Sequence, residues 1–169
     1  MKKVIVLIII ILCSFLLFKT ISKIKNKTII LKQCVMMIEN IEIMLKYNSF
    51  STEEILFNLI NSGYYNKLSF LKNFYEKIKN NSFSQKNITF EFENNYLCKY
   101  LEKEDLENLK GFFQNIGTTN VNTQIVNCEF YKEIFKKKLL QIESQEKNKI
   151  KTVTVIIVSI SVCLVIIIL

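Results

Sequence analysis

The sequence predicts an all-α fold: a helical cytosolic domain of about six helices, two of them long and antiparallel, between an N-terminal and a C-terminal transmembrane helix. Three observations carry this. An apolar block stands at each end of the 169-residue chain. Between the blocks, apolar residues recur at spacings of three and four, the period of an amphipathic helix. The interruptions carry Ser, Asn and Gly, which cap and close helices. The expected division is residues 1–21 as first anchor, 22–151 as helical domain and 152–169 as second anchor. The middle, about 130 residues, is long enough to bury a core of its own.

The first anchor is the run Val4 to Phe18, broken only by Ser14, with Lys2 and Lys3 before it and Lys19 after it. Its 15 residues span about 22 Å as a helix, against about 30 Å of hydrocarbon. Adding Lys19 to Ile21, with Lys19 snorkelling, makes it sufficient. A cleaved signal peptide would share the charged start, but no small-x-small site follows, so an uncleaved anchor is expected.

The first long helix continues from this anchor. Leu31, Cys34, Ile38, Ile41 and Leu45 form one stripe, with Val35 and Met37 beside it. It should stop near Asn48. Ser51-Thr52-Glu53-Glu54 then reads as a capping box that opens a short helix to Asn61, and Gly63 suits the turn that closes it. A third helix fits Asn66 to Lys79, with Leu68, Leu71, Phe74, Tyr75 and Ile78 on one side. Ile88 to Glu93 alternates like a strand. No partner strand is evident, and a lone strand is not stable, so Ile88 to Tyr100 is read as a helix. Asp105 to Asn115 is a further helix, closed by Gly117.

The last helix starts at an Asn120 cap. Val121, Ile125, Cys128, Phe135, Leu139 and Ile142 keep the stripe, and the helix runs into the second anchor, Val153 to Leu169. The hydroxyls of Thr154, Ser159 and Ser161 can bond back along that helix or across to another. Lys19, Lys23, Lys25 and Lys27 follow the first anchor, and Lys147, Lys149 and Lys151 precede the second. Lysines crowd the cytosolic side of membrane helices, so the middle is expected in the cytosol and both ends outside. A continuous helix from Lys19 to Tyr47 would climb about 40 Å from the membrane.

Composition narrows the function. The chain has no His, Pro, Trp, Ala or Arg, and its 23 basic residues are all Lys. The net charge of +8 partly reflects AT-rich coding. No basic stripe is interleaved with aromatics, so no nucleic-acid partner is expected. Without His the commonest general base is missing. Three isolated glycines cannot build a phosphate loop. The five cysteines show no metal-ligand spacing and read as reduced thiols. Neither enzymatic activity nor a cofactor is expected. The acidic clusters Glu53-Glu54 and Glu102-Lys103-Glu104-Asp105 read as first turns of helices.

Two stretches carry a family resemblance. The first is Ile41-Glu42-Ile43-Met44-Leu45-Lys46-Tyr47-Asn48 followed by Phe50-Ser51-Thr52-Glu53-Glu54-Ile55. The second is Phe112, Ile116, Gly117, Asn120 and Gln124. Together with the flanking anchors they resemble the stage III sporulation protein AB family. Glu42, Tyr47 and Glu54 match its first pattern. Met44, Asn48 and Ser51 stand for its second acid, its Gly and its Pro. In the second pattern, Phe113 replaces a Gly and Asn120 an Asp. The second anchor lacks the glycines that the family carries there.

The resemblance implies a multi-pass component of the cell membrane, in the apparatus that joins mother cell and forespore. Its middle domain would face the mother-cell cytosol and meet a secretion-type ATPase and other sporulation channel proteins. The family is similar to the platform proteins of type II secretion and pilus machines. A homo-oligomer is compatible with such a role. A holin-like or stress-related membrane protein would explain the anchors but not the ordered domain between them. A membrane-tethered sensor or adaptor is a third reading.

The candidate partner site is Glu42, Tyr47 and Glu54, where the first long helix turns into the short one. An acid near an aromatic at a turn can offer a partner both a charge and an apolar face. A structural role is the competing reading: Glu42 paired with Lys46, Glu54 as a cap and Tyr47 in the core.

Overall fold

Residues 2–47, 50–80 and 96–168 are described by the computed structural model. They form five α-helices and one 3-10 turn, with no strand among the described residues. The elements are α1 (Lys2–Tyr47), α2 (Thr52–Asn61), α3 (Phe70–Lys79), the 3-10 turn Tyr96–Lys99, α4 (Lys103–Asn115) and α5 (Val121–Ile168).

Several boundaries follow from local chemistry. Ser51 Oγ accepts from the Glu54 amide while the Glu54 carboxylate accepts from the Ser51 amide at 2.8 Å, the expected capping box at the start of α2. Asn120 Oδ1 accepts from the Thr123 amide at 2.9 Å and so caps α5. Gly63 and Gly117 both have positive φ, 72° and 75°, as a residue leaving a helix often must.

The third helix begins at Phe70 rather than at Asn66. Residues 65–69 are held as turns instead. The Leu68 amide donates to the Tyr65 carbonyl at 2.9 Å. Gln33 of α1 bonds the Asn66 side chain at 2.9 Å and the Lys67 amide at 3.0 Å. Tyr65 is buried, with its hydroxyl on Asn40. These tertiary bonds outweigh local helix propensity. Of the helix expected over Ile88 to Tyr100, residues 88–95 lie outside the described residues, and Tyr96–Lys99 is the 3-10 turn.

The chain divides into two compact units, residues 29–140 and the two terminal segments 1–28 with 141–169. The first unit contains the core. Leu31, Cys34, Ile38, Ile41 and Leu45 are buried as the stripe on α1 predicts, and so are Val35 and Met37. Ile55, Leu56, Leu59, Phe70, Leu71, Phe74, Leu109, Phe112, Phe113, Cys128 and Phe135 are buried as well. Phe113 stacks edge-on to Phe70, Phe74 and Phe112, with ring centres 4.9–5.3 Å apart. Each such side chain contributes about 1.5–3 kcal/mol through burial. Val121 departs from its expected stripe and is half exposed, because it is the first residue of α5 and projects beyond the core.

In the terminal unit Ile11, Phe15 and Phe18 on α1, and Val155, Ile160 and Val162 on α5, are exposed. The hydroxyls of Ser14, Thr20, Thr154 and Ser161 all bond back to the carbonyl four residues earlier, at 2.7–2.9 Å. Thr28 donates to Glu146 at 2.6 Å. Among the described residues one helix, α5, is long and apolar enough to cross a membrane, and its apolar window is wholly unburied.

Candidate partner site at the first helix turn

Glu42 stands on α1 one turn before its end. Its two carboxylate oxygens divide between two ammonium groups, Lys46 at 2.6 Å and Lys132 of α5 at 2.6 Å. Lys46 also reaches Glu129 at 3.1 Å. The result is a four-membered chain, Lys132–Glu42–Lys46–Glu129, along α1 and α5. Glu42 itself is buried.

Burial by itself would raise the Glu42 carboxyl. The hydrogen bonds and charges of Lys132 and Lys46 together outweigh it and hold the carboxyl below its ordinary value. The bond to Glu42 in turn pushes both lysines up. The Glu42–Lys46 pair was legible from its spacing of four. Lys132 was missed, because it stands 90 positions from its partner and no local pattern links them.

Tyr47, the last residue of α1, is 79% exposed. It is therefore not the core residue that the structural reading required. Glu54 is exposed, and its carboxyl is held low by the Ser51 amide and then the Ser51 hydroxyl. No hydrogen bond or ion pair joins Glu42, Tyr47 and Glu54 to one another among the described residues. The three bracket one turn of the chain in three states: a buried paired acid, an exposed aromatic and a capping acid.

A second charged cluster lies on α4 and α5. Asp105 is buried, accepts from the Glu102 amide at 3.2 Å and stands 3.6 Å from Lys138. Lys138 also holds Glu102 at 2.9 Å. This cluster fixes the start of α4, as the first-turn reading of those acids implies. Gln124 serves the other end: its carbonyl oxygen accepts from the Gly117 amide at 3.1 Å, and its amide donates to the Thr119 carbonyl at 2.7 Å. It thereby ties the α4–α5 turn, and Tyr131 of α5 places its hydroxyl against Gly111 of α4.

Neither curated proteins nor solved structures give a match to the chain. The family model for stage III sporulation protein AB matches residues 2–169. That span holds both terminal apolar segments, the capped turn after Tyr47 and the Gln124 turn, and the chain belongs to the stage III sporulation protein AB family.

Proposed function

We propose that this chain is a non-enzymatic component of the membrane apparatus that joins mother cell and forespore, and that its middle domain is a platform for a secretion-type ATPase. Both apolar ends cross the membrane in this reading. The lysines that follow the first and precede the second keep the domain in the mother-cell cytosol. α1 and α5 pack antiparallel, a pairing supported by two contacts: Glu42 meets Lys132, and four residues on, Lys46 meets the earlier Glu129.

The observation that carries the platform reading is Tyr47. A large aromatic left four-fifths exposed at a helix end, beside a capped turn, is the kind of residue that anchors a partner. Glu42 holds the end of α1 to α5, and Glu54 holds the start of α2, so both present Tyr47 in one geometry.

The experiment replaces each of the three by Ala in the full chain and measures thermal stability together with ATPase binding. Tyr47→Ala should weaken binding about tenfold or more while costing under about 0.5 kcal/mol of stability. Normal ATPase binding by Tyr47→Ala would end this reading.

A further inference from the structure

The domain keeps a second apolar surface that the partner turn does not use. On α1 the exposed residues Ile29, Met36 and Ile43 fall within about 40° of one another round the helix. On α5 the exposed residues Val126, Phe130 and Leu140 do the same within about 80°, and Glu133 and Lys137 share their face. Such rows on a small domain mark an interaction surface.

The ion pairs show how the rows are placed. Glu42 and Lys46 flank the α1 row, and Lys132 and Glu129 flank the α5 row. The turn from ion pair to row goes the same way round in each helix. In helices that run in opposite directions, both rows then open on one surface, side by side, with the ion pairs between them.

We propose that this surface docks a second copy of the chain, α1 of each copy lying against α5 of the other in a two-fold, four-helix interface. The proposal rests on the antiparallel pairing of α1 and α5 given above, and not on the ATPase. A two-fold axis parallel to the helices keeps both copies facing the same way, as two chains in one membrane must. It also brings residues of equal height together, so the pairing within one chain sets the register between chains. Counting from Glu42 opposite Lys132, Glu39 comes level with Phe135, next to Lys136 and Lys137 of the second copy, and Met36 with Lys138, within one turn of its Leu140.

Opposite charges therefore meet, and the symmetry makes them meet twice. Glu39, Lys136 and Lys137 have no ion-pair partner of their own among the described residues. The complementary charges select a second copy over an unrelated apolar partner.

The test measures the mass of the full chain in detergent micelles and in lipid nanodiscs, with no ATPase present. The wild-type chain should be a dimer. Ile43→Glu and Phe130→Glu, at positions 51% and 60% exposed, should each give monomers that keep the wild-type helical circular dichroism spectrum. Glu39→Lys should weaken the dimer about tenfold, and Lys136→Glu with Lys137→Glu similarly. All three charge changes in one chain should restore it, a rescue that misfolding cannot imitate. A monomeric wild type, a dimer indifferent to these substitutions, or a triple variant no tighter than its parents would overturn the proposal. So would an unchanged dimer in which Ile43→Glu and Phe130→Glu abolish ATPase binding instead, since the ATPase would then own this surface. Loss of the Tyr47 effect on ATPase binding would leave the dimer standing.

Discussion

Glu42 is the residue where structure and proposed function press hardest on one another. Its carboxylate is buried, yet Lys46 and Lys132 keep it charged. A carboxyl held below its ordinary value stabilises the fold fully above that value, and the contribution is lost as pH falls through the lower folded value. The protein should therefore lose stability on acidification below about pH 4. Glu42→Gln should cost about 1–3 kcal/mol at neutral pH and flatten that acid limb. Urea denaturation from about pH 7 down to about pH 3 checks both outcomes. On the alkaline side the raised lysines reverse the sign. Their share is complete below the ordinary Lys value and disappears as pH rises through the folded one.

The helices differ in how much of them could be read in advance. α1 and α2 were legible nearly to the residue, because an unbroken apolar stripe and a capping box are both local signals. α3 was not. Its expected start at Asn66 fails because Gln33 and Asn40, more than twenty residues earlier, hold the approach to it as a turn. The α4–α5 turn was read from Gly117 and Asn120, but its clamp, Gln124, was seen only as a position in a family pattern. That turn also gives a sharp test. Gly117 has positive φ, and a Cβ there would lie 2.6 Å from Thr52 Oγ1. Gly117→Ala should cost about 1–3 kcal/mol, seen as a lower melting temperature. Ser51→Ala, which removes the cap of α2, should cost about 1 kcal/mol.

For the whole molecule, the all-helical class and the apolar ends came from composition and periodicity alone. The pairings of Glu42 with Lys132 and Asp105 with Lys138 did not, since they join distant segments. The structure also narrows how topology can be tested. Cys34 and Cys128 are buried, and burial pushes both thiols up, Cys128 to about 12. Only Cys98 of the three central cysteines is exposed. With the domain in the cytosol, an impermeant maleimide should spare Cys98 in intact cells and label it after permeabilisation. Labelling of Cys98 from outside would reverse the proposed orientation. Phe113 tests the core as a unit: Phe113→Ala empties the centre of a four-ring cluster and should cost about 3–5 kcal/mol.

The contact between Gly111 and Tyr131 has a genetic consequence. A methyl group at 111 would collide with the tyrosine hydroxyl and stand 3.2 Å from its Cζ. The two positions should therefore be inherited as a pair. A lineage that gains a larger residue at 111 can keep its packing only if 131 loses its hydroxyl or retreats. In the laboratory the same logic makes Tyr131→Phe a second-site suppressor of Gly111→Ala. Spore counts for the double variant should recover above those of the single one.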